Sequence, residues 1–107
     1  MDFGSYLREL REQKEMLLRE LAAAVTIDVA LLSKIERGKR KARKEQVSAF
    51  AKALQADPEV LHKKWLASQV YDLVKEEENP TEILRVAEEE AEYHKRSPKS
   101  KSGDSTG

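Results

Sequence analysis

The sequence predicts an all-α fold, a compact bundle of four to five helices followed by a C-terminal helical extension. Three observations carry this. The 107 residues include only four glycines and three prolines, amid long runs of Glu, Lys, Ala, Leu and Arg, residues that favour helix. Apolar residues recur at i, i+3, i+4 and i+7 in successive segments, the period of one helix face. The segments are punctuated by helix start and stop signals at Gly38, Asp57-Pro58 and Asn79-Pro80.

A first helix is expected over residues 3–14, where Phe3, Tyr6, Leu7 and Leu10 form one apolar stripe. Arg8, Glu9, Arg11 and Glu12 are expected to face water. Residues 13–16 are the connector. In the second helix Leu18, Leu21, Ala22 and Val25 share a face, and the alanines 22–24 permit close approach of a neighbour. Thr26 and Ile27 interrupt the pattern. Asp28 is a good N-cap for a third helix, its carboxylate suiting the positive end of the dipole. In that helix Leu31, Leu32 and Ile35 point inward, leaving Val29, Ala30, Ser33, Lys34 and Arg37 outward. Gly38 ends it, as a glycine just past the last turn usually does. Two helices joined by a short turn, the second showing small and basic residues, is the layout of a helix-turn-helix, whose second helix enters the DNA major groove.

The loop GKRKAR, residues 38–43, is rich in long cations. A fourth helix over 44–54 carries Val47, Phe50, Ala51 and Leu54 on one face. Asp57, Pro58 and Glu59 supply a cap, a first-turn proline and a favourable charge for a fifth helix, expected to reach about Glu78. Its apolar residues Leu61, Trp65, Leu66, Val70, Leu73 and Val74 exceed what a small bundle covers. They belong either to the core or to a dimer interface, and a homodimer is expected. Asn79-Pro80 breaks this helix. A last one, roughly 81–95, sets Ile83, Leu84, Ala87 and Ala91 against Glu88, Glu89, Glu90 and Glu92. The expected organisation is thus a DNA-binding domain over 1–57, a helical extension over 58–95, and a polar, disordered tail over 96–107.

The formal net charge of zero conceals an asymmetry. Residues 1–64 hold 14 Lys+Arg against 10 Asp+Glu, a net of +4, and residues 65–107 hold 6 against 10, a net of −4. Between Lys34 and Lys44 stand Lys34, Arg37, Lys39, Arg40, Lys41, Arg43 and Lys44 against Glu36 alone. Such a local positive field attracts a phosphate backbone. With no cysteine, disulfides, thiolate zinc sites and a cysteine nucleophile are excluded together. No 18-residue apolar window or signal-peptide pattern is found, and a cytoplasmic location is expected. There is no P-loop, no G-x-S-x-G and no convincing acid–base pair, so no enzyme, and no cofactor, is expected. Glu90 and His94 lie one turn apart, but two ligands do not make a metal site.

The stretch from Leu18 to Lys41 resembles the lambda-repressor-like, or Cro/C1/Xre, family of helix-turn-helix regulators. LRELA matches the first motif helix, LLSKIERGKRK the second and its exit, and Ile35 to Gly38 the end-of-recognition-helix signature. Ala22 occupies the site where the family packs its two helices together. Three departures stand out: Thr26 replaces a turn glycine, Leu18 a phosphate-touching glutamine, and Ala42 and Arg43 a proline and a capping serine. The resemblance covers about residues 3–57. It implies a transcriptional regulator, a repressor or autoregulator, that binds an inverted-repeat operator in double-stranded DNA as a two-fold dimer. A short chain with only a helical extension resembles restriction-modification controller proteins. Antitoxins and phage-type repressors share the motif, and an adaptor holding a protein partner through its C-terminal helices is the alternative.

In that reading Val29 and Ala30 either meet thymine methyl groups or merely permit close approach. Ser33 has hydrogen-bonding capacity, and Lys34 contacts either guanine or phosphate. Asp28 lies at the start of the same helix. Arg37, Lys39, Arg40, Lys41, Arg43 and Lys44 are the expected phosphate holders, with Arg19 standing in for the family's glutamine.

Overall fold

A computed structural model describes residues 1–96; the expected tail lies, apart from the helix-ending Arg96, outside the described residues. Six helices follow one another: α1 (Phe3–Gln13), α2 (Leu18–Ala24), α3 (Val29–Glu36), α4 (Lys44–Leu54), α5 (Pro58–Val74) and α6 (Pro80–Arg96). No strand occurs among the described residues. Residues Met1–Val70 form one compact unit, and the described residues from Tyr71 on belong to a second.

The core of the first unit is built from Phe3, Leu7, Leu21, Ala22, Leu32, Ile35, Val47, Phe50, Leu54 and Leu61. Phe3 meets Phe50 edge to face, with ring centroids 6.5 Å apart. Gly4 is a close-approach site, because a methyl there would overlap the carbonyl oxygens of Ile35 and Glu36. The first helix therefore lies directly on the end of α3. Leu10 and Leu31, expected inside, are only half-buried at the rim of this core.

Four helix ends are closed in the same way. The residue after the cap, or at α4 the cap itself, turns to positive φ, and two backbone N–H groups fold back on the last carbonyls. At the end of α3, Gly38 (φ 75°) donates to Ile35 at 3.1 Å and Lys39 to Lys34 at 2.8 Å. Glu15, Thr26 and Gln55, with φ of 56°, 59° and 54°, fill the equivalent position after α1, α2 and α4. Thr26 donates to Ala23 and Ile27 to Ala22, so the turn between α2 and α3 keeps the glycine-type geometry on a β-branched residue. Such a residue is a strained occupant of the left-handed region.

The helix starts are capped by several devices. Asp2 accepts from the Ser5 N–H at 2.9 Å, and Asp57 from the Glu59 N–H at 2.9 Å. Where the cap residue is Leu17 or Arg43, a side chain three residues on reaches back instead. Glu20 accepts from the Leu17 N–H at 2.8 Å and Gln46 from the Arg43 N–H at 2.7 Å. This is half of a capping box, and it replaces the serine cap that Arg43 displaces. Asp28 does sit at the N-cap of α3, but its carboxylate makes no capping hydrogen bond.

Two helix bounds differ from expectation. The fifth helix stops at Val74, short of Glu78. Glu76, Glu77 and Glu78 would load negative charge on the negative end of the dipole, which disfavours further turns. The sixth starts at Pro80, not Thr81: Asn79 Oδ1 accepts from the Glu82 N–H at 3.3 Å, so the Asn-Pro pair caps and opens this helix. Asp57-Pro58 opens α5 by the same means.

Candidate nucleic-acid interface

The eight residues of α3 are too few to hold a helix alone, so its outward face depends on what fixes its inner one. Leu32, Ile35 and Glu36 are the buried residues. Glu36 meets Arg11 of α1 in a two-pronged pair, Arg11 Nε donating to Oε2 at 2.8 Å and Nη2 to Oε1 at 2.9 Å. The third prong, Nη1, donates to the Met16 carbonyl at 2.9 Å. One guanidinium thus joins α1, the α1–α2 connector and the end of α3. Its hydrogen bonds to Glu36 hold the Arg11 group above its ordinary pKa. The expectation that Arg11 faces water is therefore corrected. No buried side-chain polar atom lacks a partner among the described residues.

With α3 fixed, Val29, Ala30, Lys34 and Arg37 are exposed on one side of it, as expected. Ser33 is half-buried, not fully outward, and its Oγ accepts from Arg37 Nε at 3.3 Å. Asp28 is exposed at the head of the helix and Arg19 is exposed on α2. The loop that leaves α3 exposes Lys39, Arg40, Lys41, Arg43 and Lys44, while Ala42 in its midst is buried. Small side chains and long cations therefore follow one another along a single helix and its exit.

The fifth helix supplies an element the sequence did not assign to this face. The Trp65 indole Nε1–H donates to the Ala42 carbonyl at 2.8 Å, and Lys41 Nζ donates to Gln69 Oε1 at 3.3 Å. Ser68 Oγ accepts from the Phe3 N–H at 2.9 Å. The first turns of α5 thus belong to the same compact unit as the bundle. Of the residues expected at a dimer interface, Leu61 is fully buried in this core and Trp65 packs against it. Leu61 is thus a core residue of the chain itself, and Trp65 lies half-buried against that core. Val74 is buried as well, whereas Leu66, Val70 and Leu73 are exposed, Leu73 by 80%. In the second unit Ile83, Val86 and Tyr93 of α6 are also exposed.

A family model described as a helix-turn-helix domain matches residues 2–63. The chain belongs to this helix-turn-helix family. Two curated relatives, uncharacterized HTH-type transcriptional regulators from Mycobacterium tuberculosis strains CDC 1551 / Oshkosh and ATCC 25618 / H37Rv, are each 39% identical over 59 residues. That match covers 55% of this chain but only 42% of either relative. Two crystal structures of the clp gene regulator ClgR from Corynebacterium glutamicum are similar in fold. One has a TM-score of 0.54 and 32% identity over 62% of this chain and 86% of that chain. The other has 0.55 and 29% over 80% and 86%. In this helix-turn-helix chain α2 and α3 are the motif pair, and α3 is the second helix of the motif.

Proposed function

We propose that this helix-turn-helix chain is a sequence-specific, DNA-binding transcriptional regulator, a repressor or autoregulator acting as a homodimer on an inverted repeat. The observation that carries the reading is the exposed face of the segment from Val29 to Lys44. There a helix with small and hydrogen-bonding side chains passes directly into a loop of cations. A helix of that kind reads base edges, and the loop holds phosphates. Ser33 and Lys34 are the reading residues, with Val29 and Ala30 against thymine methyl groups, beside Asp28 at the helix head. Arg19, Arg37, Lys39, Arg40, Lys41, Arg43 and Lys44 hold the backbone. Relatives named as transcriptional regulators support the same class. The Cro/C1/Xre type, with restriction-modification controllers as the nearest layout, and a cytoplasmic location belong to this reading. Among the described residues no helix is long and apolar enough to cross a membrane.

The dimer rests on the exposed apolar side chains Leu66, Val70, Leu73, Ile83 and Val86, and on the few contacts that one small module makes with a site at physiological salt. The same exposed apolar residues favour the second reading, an antitoxin or adaptor that holds a different protein. The test is a gel shift and footprint on DNA upstream of the gene, in excess random competitor, with sedimentation of the free protein. A protected inverted repeat with half-sites about 10 base pairs apart is expected. Equal affinity for competitor and upstream DNA would reject a sequence-specific regulator, and a stable monomer would reject the dimer.

A further inference from the structure

We propose that Trp65 is a positioning residue for DNA binding: its indole N–H, bonded to the Ala42 carbonyl, fixes the conformation of the basic loop 38–43 so that its cations reach the phosphate backbone as a set. This rests on the DNA-binding reading above. The loop is a poor candidate for order by its own means. Between Lys34 and Lys44 seven cations stand against one carboxylate, that of Glu36, and like charges held close together repel. Glu36 is already engaged by Arg11. What holds the loop is its neutral centre. Ala42 is 2% exposed in the midst of exposed cations, and a buried carbonyl needs a donor. Trp65 supplies it at 2.8 Å.

The indole is itself held. The His62 ring lies 5.6 Å from it, centroid to centroid, and its body packs on the core that contains Leu61. One helical turn further on, Gln69 receives Lys41 Nζ at 3.3 Å while its own Nε2 donates to the Trp65 carbonyl at 3.4 Å. Two successive turns of α5 therefore grip two successive loop residues. Cations presented in this way have lost part of their conformational freedom before DNA arrives, which lowers the ordering cost of binding.

The test uses the full chain. Trp65→Phe keeps an aromatic ring and removes the N–H donor; Gln69→Ala releases Lys41 alone. Two measurements are made at a temperature where all variants are fully folded by circular dichroism. Limited trypsin cleavage at Lys39, Arg40, Lys41, Arg43 and Lys44 reports loop order without DNA. Titration of a short random-sequence duplex over a range of salt concentrations reports the number of phosphates engaged. Trp65→Phe is expected to speed loop cleavage several-fold. It is also expected to reduce the salt slope by about one unit for each phosphate released, and Gln69→Ala by no more than one. Unchanged loop cleavage in Trp65→Phe overturns the anchoring. Faster cleavage with an unchanged salt slope overturns the link to DNA. A wild-type chain that binds no duplex overturns the DNA-binding reading and this positioning role together, while the cleavage data stand by themselves. A role limited to global stability moves neither quantity in fully folded protein.

Discussion

Glu36→Ala separates a buried ion pair from an exposed one within the same fold. The side chains of Arg11 and Glu36 are 12% and 4% exposed, and those of Arg8 and Glu12, also an Arg–Glu pair, are 59% and 56% exposed. Removing Glu36 leaves the Arg11 guanidinium facing a site without its carboxylate, with only the Met16 carbonyl retained. Loss of one partner of a buried pair costs about 3–5 kcal/mol. A domain of this size has about 5–15 kcal/mol in all, so the variant loses a large part of it. At about 4–8 °C per kcal/mol, the melting temperature falls by roughly 12–40 °C. Glu12→Ala removes an exposed i,i+4 pair worth about 0.3–0.5 kcal/mol, a shift of only about 1–4 °C. Thermal and urea denaturation followed by circular dichroism measure both. Similar small shifts for the two variants would refute the claim that one guanidinium braces three segments. A double-mutant cycle with Arg11→Ala completes the test, since Arg11 must couple far more strongly to Glu36, which it holds in a two-pronged pair, than to Glu12, which acts on it only through space.

Thr26→Gly relieves a β-branched residue at φ 59°. The relief of about 1–2 kcal/mol is partly offset by glycine's unfolded-state entropy, leaving a gain of about 0.5–1 kcal/mol, and an unchanged or lower melting temperature would contradict it. Hydrogen bonding from the Ser5 N–H holds the Asp2 carboxyl below its ordinary value of 3.8. Its contribution is therefore present above that value and lost as pH falls through the lower folded one. Asp2→Ala should cost about 1 kcal/mol near neutrality and flatten the acid limb of the stability profile, and parallel acid limbs would contradict it. Ser33→Ala and Lys34→Ala should cost about 1–3 kcal/mol on the operator and little on random DNA, whereas Lys39→Ala and Arg43→Ala should weaken both alike and flatten the salt slope by about one unit each. Equal losses of Ser33→Ala and Lys34→Ala on both duplexes would make α3 another clamp.

The helical class and the order of the elements were legible because each segment carries its own period and punctuation. Gly38, Asp57-Pro58 and Asn79-Pro80 mark ends that local chemistry alone decides. The misread residues depend on neighbours distant in sequence. Arg11 follows Leu7 at i+4, and Glu36 follows Leu32 at i+4, so helical spacing placed both on inward faces. For Arg11 charge argued for water, and only the meeting of α1 with α3 reverses that argument. The extent of α5 was misjudged for a local reason, since apolar spacing outweighed the three glutamates that oppose the helix end. Trp65 was legible as an apolar residue but not as a hydrogen-bond donor, because its partner is a backbone carbonyl 23 residues away.

These distant contacts share one consequence. The segment from Val29 to Lys44, a two-turn helix and a loop of like charges, has few means of its own to hold its shape beyond local hydrogen bonds. Order is imposed on it from behind, by Gly4 and Arg11 of α1 at the end of the helix and by Trp65 and Gln69 of α5 at the loop. None of the four belongs to the motif pair α2 and α3. Substitutions on the outward face are therefore expected to change binding with little effect on stability. Substitutions at Gly4 or Arg11 act on stability first and on binding through it. Trp65 stands between the two groups, because its ring packs on the core while its N–H holds the loop.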